Sequence, residues 1–193
     1  MEEPLTITLR QARAGSEPAL DALFERVAGR LLALIRLRLG RPLRARLESR
    51  DILQASLLRA FQHLDQLQGD DSAALMAWLA RIAENEIRDQ ADFHGRQRRD
   101  AAQDVPLEDP ALGGLAERIR SQATRLILDE EAERLERAME TLDEPHREVI
   151  LLRKYEELSF EEIGRRMGRS PDACRMLLAR ALTALTLAME KHP

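Results

Sequence analysis

The chain has 193 residues, of which 44% are apolar and 3% aromatic, and its formal net charge at pH 7 is −4. Abundant leucine, alanine, arginine and glutamate with few β-branched runs predict an all-α fold. The negative charge argues against a protein that coats DNA unaided, because phosphate contacts dominate nonspecific affinity. The single cysteine, Cys174, excludes an internal disulfide, and its place on an apolar helix stripe predicts a buried thiol. We expect no signal peptide, no membrane span and a location in the reducing cytoplasm.

Helical apolar patterns follow one another through the first part of the chain. They run from Leu5 to Gly15, from Pro18 to about Gly40, from Arg50 to about Leu67 and from Ser72 to about Asp92. Residues 94–114 contain prolines and paired glycines without a sustained apolar period, which indicates a linker with no stable fold. Helical periodicity returns at Leu115 and continues towards the C-terminus. The pattern predicts two small helical domains, residues 1–95 and 126–193, joined by a flexible linker, residues 96–125.

The segment SFEEIGRRMGRSPDACRMLLARALTAL contains two helical patterns joined by a tight break. Ser159 and Glu162 have the spacing of a reciprocal cap on the first helix, and Gly168 can adopt the left-handed conformation that ends it. Ser170 and Pro171 are the residue types of an N-cap and a first turn for the second helix. This order predicts a helix-turn-helix, whose second helix lies in the major groove of DNA.

The second helix of this pair has two distinct faces. Its apolar stripe recurs at helical spacing and consists of Cys174, Leu177, Leu178, Ala181, Leu182 and Leu185. The outward residues are Asp172, Arg175, Met176, Ala179, Arg180 and Thr183. Between Gly164 and Arg180 there are five arginines and one aspartate. This positive block is either a solvated helix face or a contact surface for phosphates.

Catalytic and metal-binding patterns are missing from the sequence. The four histidines, His63, His94, His146 and His192, do not have the spacing of zinc ligands. No glycine-rich phosphate loop follows a strand, and no nucleophile motif occurs. We therefore expect a protein that is not an enzyme and that has no cofactor or metal.

Three groups of residues together resemble a known family. DILQASLLRAF and AWLARIAEN precede the linker, and LDEPHREVILLRKYEELSFEEIGRRMGRSPDACRMLLARAL follows it. Their order and spacing over nearly the whole chain resemble bacterial RNA polymerase sigma factors of the extracytoplasmic-function (ECF) subfamily of the sigma-70 family. The resemblance implies sigma2-like and sigma4-like domains in a factor that binds core RNA polymerase and directs promoter-specific transcription initiation. Its implied partners are the β′ clamp helices and β flap of core polymerase, promoter DNA and an anti-sigma factor or other regulator.

By this resemblance, the helix that begins near Asp51 binds the clamp helices of the polymerase. Its inner stripe is Leu53, Leu57, Phe61 and Leu64. The candidate polymerase contacts are on another face and are Asp51, Gln54, Leu58 and Gln62. Leu58 is alternatively a second core contact. The family usually has an acidic cluster before this helix and Gln-Glu or Gln-Asp within it, whereas this sequence has ESRD and Gln54-Ala55. The lost acidity is expected to weaken attraction to a basic polymerase surface.

The loop LQGDDS and the helix after it resemble the part of the family that captures the nontemplate strand of the downstream, minus-ten promoter element. A base extruded from the stack is held by side-chain hydrogen bonds and a pocket wall. The candidate contacts are Asn85, Arg88, Asp89 and Arg81, with Asn85 the principal one. Trp78 has helical spacing with Leu75, Leu79 and Ile82, so a buried anchor is favoured over a stacking platform for a base.

The helix-turn-helix resembles the part of the family that binds the upstream, minus-thirty-five element. Arg175 and Arg180 are the candidate contacts to base edges or phosphates, and Asp172 and Met176 are neighbours that shape specificity. The candidate contacts to the DNA backbone are Arg165, Arg166 and Arg169. Leu177 stands where the family often has a basic residue, and it belongs to the apolar stripe.

The resemblance also implies regulation by an anti-sigma factor that covers the polymerase-binding and DNA-binding faces. Ser49, beside Arg50, is either a cap or turn residue or the acceptor of a regulatory phosphate. Two other functions are compatible with a helix-turn-helix: a regulator that binds DNA without polymerase, and a helical interaction protein that mimics a sigma factor. Neither accounts for the pair DILQASLLRAF and AWLARIAEN.

Overall fold

The computed structural model of the protein describes residues 4–44, 47–97, 113–125 and 130–191. Throughout these ranges the regular elements are helices and there is no β-strand, which confirms the all-α fold. Among the same residues, no helix is long and apolar enough to cross a membrane. Contacts between Cα atoms divide the chain into two compact units, Met1–Asp71 with Trp78–Ile127, and Ser72–Ala77 with Leu128–Pro193.

The helices of the first unit follow the predicted patterns closely. They are α1 (Leu5–Arg13), α2 (Glu17–Arg44), α3 (Ser49–Gln62), a 3₁₀ turn (Leu64–Gln66), α4 (Ser72–Gln97) and α5 (Gly113–Arg125). The part of α4 from Trp78 onward belongs to this unit. Within α2 the helical conformation breaks at Gly40, whose φ of 59° lies in the left-handed region that favours glycine.

The core of the first unit is formed by aliphatic side chains of α2 and α3. Leu31 of α2 and Leu53 and Leu57 of α3 have no exposed surface. Burying one such side chain stabilises a fold by about 1.5–3 kcal/mol. An ion pair of 3.1 Å between Arg38 and Glu84 joins α4 to α2. The helices α2 and α3 therefore pack against each other, and this ion pair connects α4 to α2.

The helix α5 lies at the end of the predicted linker and packs against α3. Ile119 is 3% exposed and Ala123 is fully buried, so one side of α5 belongs to the core. The guanidinium of Arg118 donates to the Asp21 carboxylate and, at 3.0 Å, to the backbone carbonyl of Glu17. Its hydrogen bond to Asp21 raises the pKa of Arg118 above the usual value. Of residues 94–114, which were expected to lack a stable fold, 94–97 belong to the end of α4 and 113–114 to the start of α5, whereas 98–112 lie outside the described residues.

The second unit is built around its last helix. Its elements are α6 (Glu130–Thr141), α7 (Glu144–Ile150), a π-helical turn (Leu151–Tyr155), α8 (Phe160–Met167) and α9 (Pro171–Lys191). The helix α9 packs against α6, α7 and α8, and its Cys174 and Ala181 are fully buried, which confirms the predicted burial of the thiol. Arg134 of α6 donates to the backbone carbonyl of Met189 at 2.7 and 3.1 Å, which fastens the end of α9.

The joint between α8 and α9 has the predicted caps. Ser159 and Glu162 form a reciprocal capping box at the start of α8. Gly168 ends α8 with a φ of 65°, a left-handed conformation. The hydroxyl of Ser170 accepts a hydrogen bond of 3.2 Å from the backbone N–H of Ala173 in the first turn of α9. The turn is thus held from both sides by the capping residues.

Gly164, inside α8, brings that helix against the backbone of the turn. A β-carbon at this position would lie 2.6 Å from the carbonyl oxygen of Arg169. The backbone N–H of Arg169 also donates to the carbonyl of Gly164 at 2.9 Å. The approach of α8 to the turn therefore requires the absence of a side chain, which the sequence pattern did not indicate.

Replacement of Arg118 by alanine is expected to loosen α5. The variant loses the hydrogen bonds to Asp21 and Glu17, and a partly exposed ion pair contributes about 1 kcal/mol, or roughly a fivefold change in an equilibrium. Hydrogen exchange at the amides of α5 should accelerate by that factor while exchange in α2 stays unchanged. The control is Arg120→Ala, which removes an exposed pair with Glu117 inside α5. Equal acceleration in both variants would contradict the assigned role of Arg118.

Replacement of Gly164 by alanine is expected to destabilise the second unit. The added methyl group overlaps the carbonyl of Arg169, and overpacking of this kind typically costs about 1–3 kcal/mol. The control is Gly29→Ala in α2, where a β-carbon meets nothing within 4 Å. Helix propensity predicts that this control stabilises the fold by about 0.5–1 kcal/mol. Thermal unfolding should therefore shift in opposite directions for the two variants, and a shift in the same direction would disprove the close approach.

Candidate nucleic-acid and polymerase interfaces

A pocket lies between α3, the 3₁₀ turn and α4 in the first unit. Its volume is about 260 Å³, and it is lined by Arg59, His63, Gln66, Trp78, Ile82, Asn85 and Asp89. The four lining residues of α4 recur at helical spacing and form one edge of that helix. The other three lie on α3 and the segment after it. The pocket therefore combines side chains of α3, of the segment after it and of α4.

The pocket combines an apolar wall with polar groups. Trp78 is 9% exposed, so it is the buried anchor that its spacing predicted, and it still contributes surface to the wall. Asn85 is exposed, and its amide offers both donors and an acceptor. Arg59 forms ion pairs with Glu86 at 3.6 Å and with Asp89 at 3.9 Å. These two carboxylates hold the guanidinium at the pocket.

The four candidate contacts to the minus-ten element do not all lie at the pocket. Asn85 and Asp89 line the pocket, whereas Arg81 and Arg88 are exposed on the same helix and do not line it. Four further residues line the pocket, which are Arg59, His63, Gln66 and Ile82. The sequence placed Ile82 on the helical stripe of Trp78. The three polar residues reach the pocket through tertiary packing, which a helical pattern of apolar residues cannot predict.

The outward face of α3 lies opposite its buried stripe. Asp51 is exposed, and Gln54, Leu58 and Gln62 are partly exposed. Leu58 differs in this respect from the fully buried Leu57, and it offers part of its surface to solvent. The face therefore presents one apolar side chain among polar groups, as its apolar spacing predicted.

Ser49 is the first residue of α3, and only 8% of its surface is exposed. The N-cap position is occupied by Glu48, which makes no side-chain capping bond. The interpretation of Ser49 as the N-cap is therefore wrong. Its burial also disfavours phosphorylation, because a phosphate on this hydroxyl would need a site that is largely closed to solvent.

The helix α9 presents the predicted outward surface. Its exposed residues are Asp172, Arg175, Met176, Ala179, Arg180 and Thr183. Met176 is 58% exposed and gives this polar surface one large apolar side chain. On the opposite side, Cys174, Leu178 and Ala181 are buried against the rest of the unit. The two faces of the helix are thus those assigned from its period.

Arg175 is held in place by neighbours on both helices of the pair. Its guanidinium lies 5.0 Å from the centroid of the Phe160 ring, a distance suited to a cation–π contact. It forms an ion pair with Asp172 on α9 and lies 3.8 Å from the carboxylate of Glu161 on α8. Asp172 therefore contacts Arg175 directly. Phe160 and Glu161 were not identified from the sequence, since they act through the packing of α8 on α9.

The three arginines assigned to the DNA backbone are not equivalent. Arg165 and Arg169 are exposed at the end of α8 and in the turn. Arg166 instead donates to the carboxylate of Glu156 at 2.8 Å, and Glu156 is fully buried. A buried carboxylate that loses its partner is strongly destabilising. Arg166 therefore has a structural role in the second unit, which its spacing did not reveal.

The described residues also bear on metal binding. Within the ranges that the structure describes, no three histidine, cysteine, aspartate or glutamate side chains are grouped so that they could hold a metal ion. The side chains at the pocket and on α9 are suited to hydrogen bonding and charge pairing with a polar partner.

Comparison with known proteins identifies the family. The family models Sigma-70 region 2 and Sigma-70, region 4 match residues 23–99 and 132–185. The ECF RNA polymerase sigma-E factor of Salmonella typhimurium is 30% identical over 136 residues, which cover 70% of this chain and 70% of that protein. The RNA polymerase sigma-H factor of Pseudomonas aeruginosa is 28% identical over 185 residues, which cover 94% and 92%.

A solved structure supports the fold. The structure of CnrH in complex with the cytosolic domain of CnrY is similar to this chain with a TM-score of 0.54 at 22% identity, covering 99% of this chain and 100% of that one. The region 2 match contains the pocket and the outward face of α3, and the region 4 match contains the helix-turn-helix. The chain therefore belongs to the ECF subfamily of the sigma-70 family, and it is a sigma factor, not an enzyme, that directs transcription initiation.

Proposed function

We propose that the first unit binds core RNA polymerase through the outward face of α3 and captures one unstacked base of the minus-ten element in the pocket between α3 and α4. The second unit binds the minus-thirty-five element through the outward face of α9. The observation that carries this proposal is the pocket itself, because it brings Asn85 and an aromatic wall together on the helix that resembles the strand-capturing part of the family.

The size and chemistry of the pocket suit a single base. Pockets for drug-sized molecules have volumes of about 300–1,000 Å³, so 260 Å³ matches a smaller planar group. The amide of Asn85 can hydrogen-bond the edge of an extruded base, while Trp78 and Ile82 supply the apolar wall. Arg81 and Arg88, exposed on the same helix, are placed to contact phosphates of the same strand.

The proposed polymerase contact is centred on Leu58. An apolar side chain among Gln54, Gln62 and Asp51 has the composition of a small interface centre with a polar surround. Resemblance to the family assigns this face to the β′ clamp helices and adds the β flap as a further polymerase contact. Because Arg50 and Ala55 replace acidic residues of the family, electrostatic attraction to the polymerase is weaker and association should be slower.

The proposed contact with the minus-thirty-five element centres on Arg175 and Arg180. Arg175 is already paired with Asp172 and Glu161, so it binds DNA only by exchanging a carboxylate for a base edge or a phosphate. This exchange lowers the gain from nonspecific phosphate contacts. Met176, exposed beside Arg175, adds an apolar contact suited to a thymine methyl group. Arg165 and Arg169 position the helix on the DNA backbone.

Regulation is proposed to depend on an anti-sigma factor. Such a partner would cover the outward faces of α3 and α9, which are the surfaces left exposed in the two units. The burial of Ser49 supports this route over phosphorylation at that residue. The cytoplasm is the proposed location, since core polymerase and promoter DNA are found there.

The first test mixes the purified protein with core polymerase and a promoter fragment. Initiation should require both components. The protein alone should bind the promoter duplex poorly at physiological salt, because its net charge is −4 and Arg175 is paired within the protein. Tight, sequence-specific duplex binding without polymerase would favour a regulator that acts on DNA alone. Binding to core polymerase without initiation would favour a sigma mimic.

A second test separates the two DNA contacts. For the wild type, one unfavourable base in either element should cost about 1–3 kcal/mol. Asn85→Ala should lose discrimination at one position of the minus-ten element and retain it in the minus-thirty-five element. Arg180→Ala is the matched variant and should show the reverse pattern. The measurement is initiation rate on promoters with single-base changes, and equal losses at both elements in both variants would contradict the assignment.

A further inference from the structure

The segment that joins α3 to α4 borders the pocket, and we call residues 63–71 the α3–α4 loop. Its His63 and Gln66 line the pocket. Local backbone bonds run from Gln66 N–H to His63 at 2.9 Å and from Leu67 N–H to Leu64 at 3.4 Å. Further along, Gly69 has a φ of 93°, so the chain turns sharply through a conformation that favours glycine. The loop is anchored by the buried Leu64 and Leu67, and it receives further support from outside the loop.

That support comes from Arg13, the last residue of α1. Its guanidinium donates to three carbonyls of the loop, which are those of Leu64 at 3.3 Å, Leu67 at 2.9 Å and Gly69 at 3.4 Å. A planar guanidinium has five donors in a fixed fork, so one side chain can hold several carbonyls at once. The hydroxyl of Thr6 is 3.5 Å from the carbonyl of Asp70 and adds a weaker contact from the same helix.

Arg13 contacts the α3–α4 loop and is not part of the buried core. The side chain of Arg13 is exposed, whereas α1 is held against α2 by its buried Thr8, Leu9 and Ala12. Removing the guanidinium should therefore leave α1 in place. The carbonyls of the loop would lose charge-assisted hydrogen bonds, which are stronger than those between neutral groups.

We propose that Arg13 is a positioning residue for recognition of the minus-ten element. It acts through the α3–α4 loop, which it fixes so that Gln66 and His63 stay at the pocket that receives the base. This inference rests on the proposed function, since it assumes that the pocket holds a promoter base. It extends the candidate site to α1, which supplies none of the residues that line the pocket.

The experiment compares the full-length wild type with Arg13→Ala and Arg13→Lys. The control is Arg10→Ala, which removes an exposed arginine one turn earlier on the same helix. The first readout is hydrogen exchange at the amides of Gln66 and Leu67. The second is initiation by core polymerase on promoters with single-base changes in the minus-ten element. Core affinity and thermal unfolding are measured beside both, since a merely structural role would change them.

Arg13→Ala should exchange faster in the loop and lose discrimination in the minus-ten element, each on the order of tenfold, because charge-assisted hydrogen bonds are lost. Discrimination in the minus-thirty-five element and affinity for core polymerase should stay at wild-type levels. Arg13→Lys keeps the charge but has no fork, so it should restore only part of the loss. Because lysine and arginine have the same charge, this variant also shows whether the loss of charge alone causes the effect of Arg13→Ala.

Two results separate this inference from the proposed function. If loop exchange or base discrimination in Arg13→Ala equals that of Arg10→Ala, the positioning role is overturned even though the protein initiates transcription. If the wild type fails to initiate with core polymerase, the proposed function is overturned, and with it the link from Arg13 to promoter bases. A fall in thermal stability and core affinity together in Arg13→Ala would show a structural role and also overturn the inference.

Discussion

The helices of this protein have to bury one-sided stripes of aliphatic side chains, and this constraint determines what stays exposed. With 3% aromatic residues, the cores rest on small and branched aliphatic groups. Leu53 and Leu57 anchor α3, and Cys174 and Ala181 anchor α9. Because helical side chains project at fixed angles, burial of one stripe orients the opposite face towards solvent. The proposed polymerase and promoter contacts lie on the exposed helix faces opposite these buried stripes.

Arginines divide between two tasks in the described structure. Arg118 and Arg134 fasten helices by donating to carboxylates or backbone carbonyls, and Arg166 neutralises the buried Glu156. Arg180 lies on the exposed face of α9. A buried acid or carbonyl costs free energy when its partner is removed, so the first group stabilises the fold. The net charge of the chain counts all charged residues together. It therefore does not show how positive the local surface of the proposed DNA contacts is.

The proposed minus-ten site is assembled from distant parts of the first unit. The pocket takes residues from α3, the 3₁₀ turn and α4, and Arg13 of α1 holds the loop beside it. The helix α5, which lies within the predicted linker, joins the same unit through Ile119 and Ala123. The first unit therefore includes α5.

The sequence by itself determined the helices, the caps at Ser159 and Gly168 and the two faces of α9. These features depend on spacings of a few residues, so local periodicity and capping chemistry contain them. The family was indicated by the resemblance of motifs spread over nearly the whole chain. The tertiary structure decided the pocket, the backbone approach at Gly164 and the docking of α5. Arg118 and Asp21 are 97 positions apart in the chain, and Arg13 and Leu64 are 51 apart. A helical period specifies which face of each helix is buried but not which distant helix covers it, and only packing brings such residues within hydrogen-bonding distance.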